Sequence, residues 1–158
     1  MKLSSTDFKM IVKSTPLVSI DLIVRDSEGN LLLGKRTNRP AKGFWFVPGG
    51  RVLKDESFES AFKRLIKEEL GLNTAESKFK GIYQHFYDDN FSSDDFTTHY
   101  LVLAYEINFN GDLALLPLDQ HSTYKWFSES ELNTSEQVHK HSKWYFQENK
   151  QVDYFLYN

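Results

Sequence analysis

The chain has 158 residues, 40% hydrophobic and 26% charged, which is enough for one domain with a real core and too few for two of ordinary size. A net charge of −3 gives no basic field for gripping a nucleic-acid backbone, and the lack of cysteine excludes a disulfide framework, a thiolate zinc site and a cysteine nucleophile. No apolar run approaches the roughly 20 residues of a membrane span, and Lys9 and Lys13 split the N-terminal apolar residues, so a cytoplasmic protein without a membrane partner is expected.

Residues 5–14 read as a short helix capped by Ser5 or Thr6, with Phe8, Ile11 and Val12 on one face. Over residues 17–24 the pattern alternates, Val18, Ile20, Leu22 and Val24 against Ser19, Asp21 and Ile23, which predicts a strand. Asp26-Ser27-Glu28-Gly29-Asn30 predicts a turn, and residues 31–36 return as the hairpin partner. The loop TNRPAKG leads to a short strand over 44–47 and then to Pro48-Gly49-Gly50-Arg51. A helix follows, with Ser57 as N-cap, Gly71 as the left-handed stop, and Phe58, Ala61, Phe62 and Leu65 on one apolar stripe edged by Ile66. Residues 79–87 and 96–109 read as long strands joined by the acidic loop DDNFSSDD. A loop over 110–123, a short strand over 124–127 and a final helix over about 135–149 complete the chain. Strands interleaved with a few helices predict a mixed sheet between helices, an α/β or α+β fold.

Glu69 falls within the apolar stripe of the central helix. A carboxylate there must curl into water at the helix end, pair with a cation, or bind a metal, because an unpaired buried charge costs too much. Adjacent Glu68 and the preceding glycine turn, whose carbonyls can serve as hard oxygen ligands, favour the metal. Asp119-Gln120-His121 lies in a long loop, where catalytic groups tend to sit, but a loop histidine is by itself usually only a surface residue. The cationic cluster of Lys35, Arg36 and Arg39, and the strand residues His85 and Tyr100, have equally plain structural explanations when taken singly.

Taken together they carry a resemblance. Gly50, Glu56, Arg64, Glu68, Glu69 and Gly71 stand at the spacings of a Nudix box over residues 50–72, with Leu65 where the box has Glu. The segments LLLGKRTNRPAKGFWFVPGGRV, YQHFYDDNF, DFTTHY and LPLDQH resemble the GDP-mannose mannosyl hydrolases, a branch of the Nudix superfamily, from Phe8 to about Tyr145. The tail beyond Tyr145 has no counterpart in that resemblance.

The resemblance implies one Nudix domain over residues 1–158, an α/β/α sandwich with a mixed sheet. It implies hydrolysis of GDP-mannose, GDP-glucose or both to GDP and free hexose, by water attack at the anomeric carbon with inversion. One Mg²⁺ per site, replaceable by Mn²⁺, would be held by the Gly49 carbonyl, Glu69 and Gln120. His121 would be the general base, with an imidazole pKa near ~6.5. Arg36 would stabilise the departing diphosphate, with Arg51 and Tyr100 assisting at the phosphates. Asp21 and His85 are expected near the sugar or its attacking water, and Phe8 as a stacking partner for guanine. Arg64 would brace the box through Glu56, while Glu68 would tune the metal or face solvent. A homodimer and a small-molecule GDP-hexose partner complete the expectation, without nucleic acid.

Leu65 ties the box to this chemistry, because an aliphatic side chain neither binds Mg²⁺ nor accepts a proton, which weakens attack at phosphorus. The competing enzyme is an ordinary Nudix pyrophosphatase using Glu68 and Glu69 as metal ligands and releasing a nucleoside monophosphate and a sugar 1-phosphate. A non-catalytic nucleotide-sugar sensor would bind without turnover. An interaction module unrelated to nucleotides would require the motif match to be coincidence.

Overall fold

Strand β1 (Leu17–Arg25) organises the sheet. In the computed structural model, which describes residues 2–116 and 121–147 (for His121 and Ser122 the backbone only), β1 pairs in parallel with β6 (Thr98–Asn108) from Leu17↔Tyr100 to Arg25↔Asn108. Its other edge is shared. The first half pairs antiparallel with β4 (Gly49–Arg51), and Arg25 at its end pairs with Leu31 of β2 (Leu31–Arg36). β2 in turn carries β3 (Trp45–Phe46) and β7 (His121–Phe127), both antiparallel. β5 (Ser77–Tyr87) pairs antiparallel with β6. The result is the expected mixed sheet with helices beside it, in the order β3-β2-β1-β6-β5.

The alternation of β1 supplies both faces of that sheet. Ile20, Leu22 and Val24 pack with Ala61, Leu65, Ile66 and Leu70 of α2 (Phe58–Leu70), whereas Ile23 joins Leu31, Leu33, Val47, Val102, Phe127, Leu132 and Val138. α2 begins and ends as its sequence dictates. The Ser57 hydroxyl accepts from the Ser60 amide at 3.1 Å, Gly71 adopts φ 70°, and the Leu72 amide returns to the Ile66 carbonyl at 3.1 Å.

Three local expectations need correction. α1 (Ser5–Ser14) is capped by Ser4, whose hydroxyl accepts from the Asp7 amide, and not by Ser5 or Thr6. The loop expected over 110–123 contains a 3₁₀ turn, Leu113–Leu115, and β7 begins at His121 because its ladder with β2 extends as far as Arg36. The helix expected over about 135–149 does not form as one helix over its described part, residues 135–147. α3 (Glu129–Thr134) ends just before it, and within it stand α4 (Lys140–Lys143) and a 3₁₀ turn, Trp144–Phe146. The cause lies in the backbone. Trp45 donates to the Gln137 carbonyl at 2.9 Å and accepts from the His139 amide at 3.0 Å, so that carbonyl and that amide are spent on β3, and the helical turns restart only at the His139 carbonyl, which accepts from the Ser142 and Lys143 amides. No helix among the described residues is long and apolar enough to cross a membrane.

Candidate active site

The glycine turn fits only glycine at Gly49, where backbone stands in the way, and at Gly50 a side chain would have to displace Leu65. A Cβ on Gly49 would stand 2.3 Å from the Ile20 carbonyl oxygen and 2.9 Å from Asp21 Oδ1. On Gly50 it would stand 2.5 Å from Leu65 Cδ2. β4 thereby lies flush on β1, with Asp21 opposite Gly49, and Leu65 of α2 presses on the backbone of Gly50. Leu65, the residue in place of the box glutamate, is 1% exposed and belongs to the core.

The box carboxylates are sorted by Arg64. Its guanidinium donates to both Glu56 oxygens at 2.7 and 2.9 Å, to the Arg51 carbonyl at 2.8 Å and to Glu68 at 3.1 Å. That hydrogen bonding holds the Glu56 carboxyl below its ordinary range. Arg64 therefore ties the loop before α2 to the helix, and Glu68 is one of its exposed partners. Glu69 differs. It is 3% exposed and sits in the last turn of α2, one turn beyond Leu65, where the helix dipole opposes a negative charge. A buried carboxylate in that field needs a cation. Leu65, one turn earlier on α2, reaches Gly50 of the glycine turn, and a carboxylate together with a glycine carbonyl is a hard-oxygen donor set of the kind that fits Mg²⁺, which retains water and phosphate ligands. Among the described residues no group of three or more His, Cys, Asp or Glu could hold a metal ion. Gln120, the third expected ligand, lies outside the described residues, as does Asp119.

Next to this turn opens a cleft of about 340 Å³. β1 supplies Asp21, β2 Arg36, β4 Gly49 and Arg51, β5 His85 and β6 Tyr100, while α1 supplies Phe8. Each of these was singled out in the sequence, and the sheet brings them to one place: Asp21 faces Gly49, and His85 faces Tyr100, across adjacent strands. The Arg51 guanidinium lies 4.2 Å from the centre of the Phe8 ring, which also packs against Phe91 at 4.7 Å. Burial pushes the Asp21 carboxyl up to about 7, against the opposing pull of a hydrogen bond from Tyr145 and the charge of Arg36. Burial also raises Tyr100, with Arg36 and Arg51 working the other way. Glu69 is not part of the cleft lining. The backbone of His121 stands opposite Arg36 in the β2–β7 ladder, at the strand that contributes to the cleft, and its side chain is outside the described set.

Sequence reasoning missed several members. Asn38, Tyr87 and Phe91 also line the cleft, beside Arg39 of the cationic cluster, which pairs with Asp89 at 3.6 Å. Tyr145 donates its hydroxyl to Asp21 Oδ2 at 2.5 Å. His85 stacks on His141 with ring centres 4.3 Å apart. The aromatic enrichment of the second half was the available signal, but it does not separate core from cleft.

His139 makes this region sensitive to acid. Its Nδ1 accepts from the His141 amide at 3.2 Å as the cap of α4, and its ring stacks on Phe46 at 4.6 Å. Burial, with Lys140 and Arg36 nearby and only Asp89 opposing, lowers its pKa to about 4. The unfolded chain binds this proton near ~6.5, so its contribution to stability is present above that pH and lost as the pH falls toward 4. In urea denaturation between pH 7 and 4.5, His139→Gln should start less stable but fall less steeply than the unaltered protein. Parallel curves would show that His139 does not drive the loss.

The NUDIX domain family model matches residues 15–147. A Haloferax volcanii protein, the low-salt glycan biosynthesis protein Agl8, is 41% identical over 127 residues, 80% of each chain. The ADP-ribose pyrophosphatase of Methanocaldococcus jannaschii is 41% identical over 68 residues, which are 43% of this chain and 40% of that one. Among solved structures, the MutT protein from Methanosarcina mazei Go1 aligns with a TM-score of 0.67 at 21% identity, covering 84% of this chain and 92% of the other. The NUDIX domain of Shewanella oneidensis NrtR, solved with ADP ribose, aligns with a TM-score of 0.61 at 16% identity, covering 86% and 90%. At these identities the structural likenesses speak for the fold alone.

Proposed function

The chain belongs to the NUDIX domain family, and on that footing we propose that it hydrolyses a GDP-hexose, GDP-mannose or GDP-glucose, to GDP and free hexose by water attack at the anomeric carbon. The coarser statement is that it is a Nudix hydrolase acting on a nucleoside diphosphate derivative. One observation carries the finer one. Where the box has Glu, Leu65 is buried in the core against Gly50, and Arg64 engages Glu56 and Glu68, so Glu69 is left as the buried box carboxylate. That supports a site poor in the carboxylates needed to drive attack at phosphorus.

In this mechanism Arg36 and Arg51 bind the diphosphate, a role suited to the guanidinium fork. Phe8 stacks on the base at the same end of the cleft. Asp21 and His85 orient the hexose, and Tyr100 assists at the phosphates. His121 takes the proton of the attacking water. Attack opposite the leaving group inverts the anomeric centre. Glu69, the Gly49 carbonyl and Gln120 would hold one Mg²⁺, or Mn²⁺ in its place, which when bound supplies positive charge to the diphosphate. GDP leaves without a separate acid, since a phosphate second ionisation lies near ~6. The likeness to a protein of glycan biosynthesis supports a sugar nucleotide as substrate, because glycans are assembled from activated sugars. A homodimer in the cytoplasm belongs to the same proposal.

The likeness to an ADP-ribose pyrophosphatase favours a second possibility, cleavage between the phosphates. A proton NMR time course with GDP-mannose, GDP-glucose and Mg²⁺ separates them. Free hexose of inverted configuration with GDP is the expected result. Hexose 1-phosphate with GMP would replace it by pyrophosphatase chemistry, and binding without turnover by a sensor.

A further inference from the structure

Tyr145 stands in the 3₁₀ turn Trp144–Phe146, outside the lining of the cleft, yet its hydroxyl reaches two groups that line it. It donates to Asp21 Oδ2 at 2.5 Å and lies 3.4 Å from His85 Nε2. Its ring is set edge-on to Tyr83, with centres 4.8 Å apart, and Tyr83 stands two residues before His85 on β5. The strand that carries His85 therefore also fixes the phenol. With Oδ2 engaged by Tyr145, the other Asp21 oxygen lies beside Gly49, 2.9 Å from where a Cβ would stand. A hydrogen bond at one oxygen restrains rotation of the carboxylate and so favours one direction for the second oxygen.

Given the assignment of the cleft to a nucleotide sugar, on which this rests, we infer that Tyr145 is a positioning residue for the hexose end. It holds the Asp21 carboxylate, and the imidazole of His85 through the same hydroxyl, in the orientation that meets the hexose in the transition state. Burial and the neighbouring Asp21 charge hold the phenol well above its ordinary range, so it remains a proton donor. The diphosphate end, built on Arg36 and Arg51, makes no hydrogen bond to Tyr145.

Tyr145→Phe keeps the ring against Tyr83 and removes only the hydroxyl. A hydrogen bond to a charged group is worth enough to lower kcat for the GDP-hexose by roughly 10- to 100-fold when lost, with the inhibition constant of GDP unchanged. A residue that merely supports the fold would not discriminate between the two. If Tyr145 acts mainly through Asp21, the further loss from Tyr145→Phe in an Asp21→Asn background is much smaller than in the unaltered enzyme. Multiplicative losses, or a Tyr145→Phe enzyme with normal kcat, would overturn the inference. Should the variant not fold, proton NMR of the unaltered protein decides. The short hydrogen bond should give a hydroxyl resonance far downfield that disappears in Asp21→Asn, and its absence would overturn the link. A wild-type protein that binds GDP but frees no hexose would instead overturn the nucleotide-sugar assignment, whatever the resonance shows.

Discussion

Replacing His121 with Gln should lower kcat for a GDP-hexose by roughly 10²–10⁴, the range expected when a general base is lost. Glutamine can still hydrogen-bond a water but cannot take its proton, so the loss falls on the chemical step and not on binding. On the rate scale this is about 2.7–5.4 kcal/mol of transition-state stabilisation. The backbone should tolerate the change, because position 121 is held in the β2–β7 ladder opposite Arg36. Steady-state kinetics provide the check, with KM expected to stay near that of the unaltered enzyme. Turnover within a few-fold of normal would remove His121 from the role of base and point to another group in the cleft.

The second large effect concerns Glu69. Even partners one shell away from a metal cost roughly 10–100-fold in affinity when removed, so Glu69→Gln should raise the Mg²⁺ concentration needed for activity by at least roughly 100-fold. The structure adds a readout that does not require turnover. Mg²⁺ should raise the melting temperature of the parent through linkage and leave that of the variant unchanged. An unaltered Mg²⁺ requirement, together with an unaltered thermal response, would refute Glu69 as a ligand.

What the sequence made legible was local or strongly periodic. Ser57 and Gly71 bracket α2 because their side chain and conformational freedom meet needs of the helix ends within a few residues. The alternation of β1 put Ile20, Leu22 and Val24 on one face because both faces of the strand are covered. Asp21, Arg36, His85 and Tyr100 were individually ambiguous, and it was their joint resemblance to a known pattern that singled them out; the sheet then gathers them into one cleft. Apart from the cap of α1, which shifts to Ser4, the failures are nonlocal. A helix was expected over about 135–149, but the backbone of Trp45, on a strand some ninety residues earlier, engages Gln137 and His139. β4 was not foreseen as a strand, because Gly49 and Gly50 have poor strand propensity and are there for close approach to Ile20 and Leu65. Tyr145 meets Asp21 across 124 positions of sequence, and no window of local pattern contains both.

The destiny of the water oxygen separates attack at carbon from attack at phosphorus more directly than any substitution. With GDP-hexose, Mg²⁺ and H₂¹⁸O, cleavage of the sugar carbon–oxygen bond leaves GDP unlabelled and puts the heavy atom at C1 of the freed hexose, read early before that position exchanges with solvent. A ³¹P shift revealing ¹⁸O on the β-phosphate of GDP, or on any phosphate released, would contradict it.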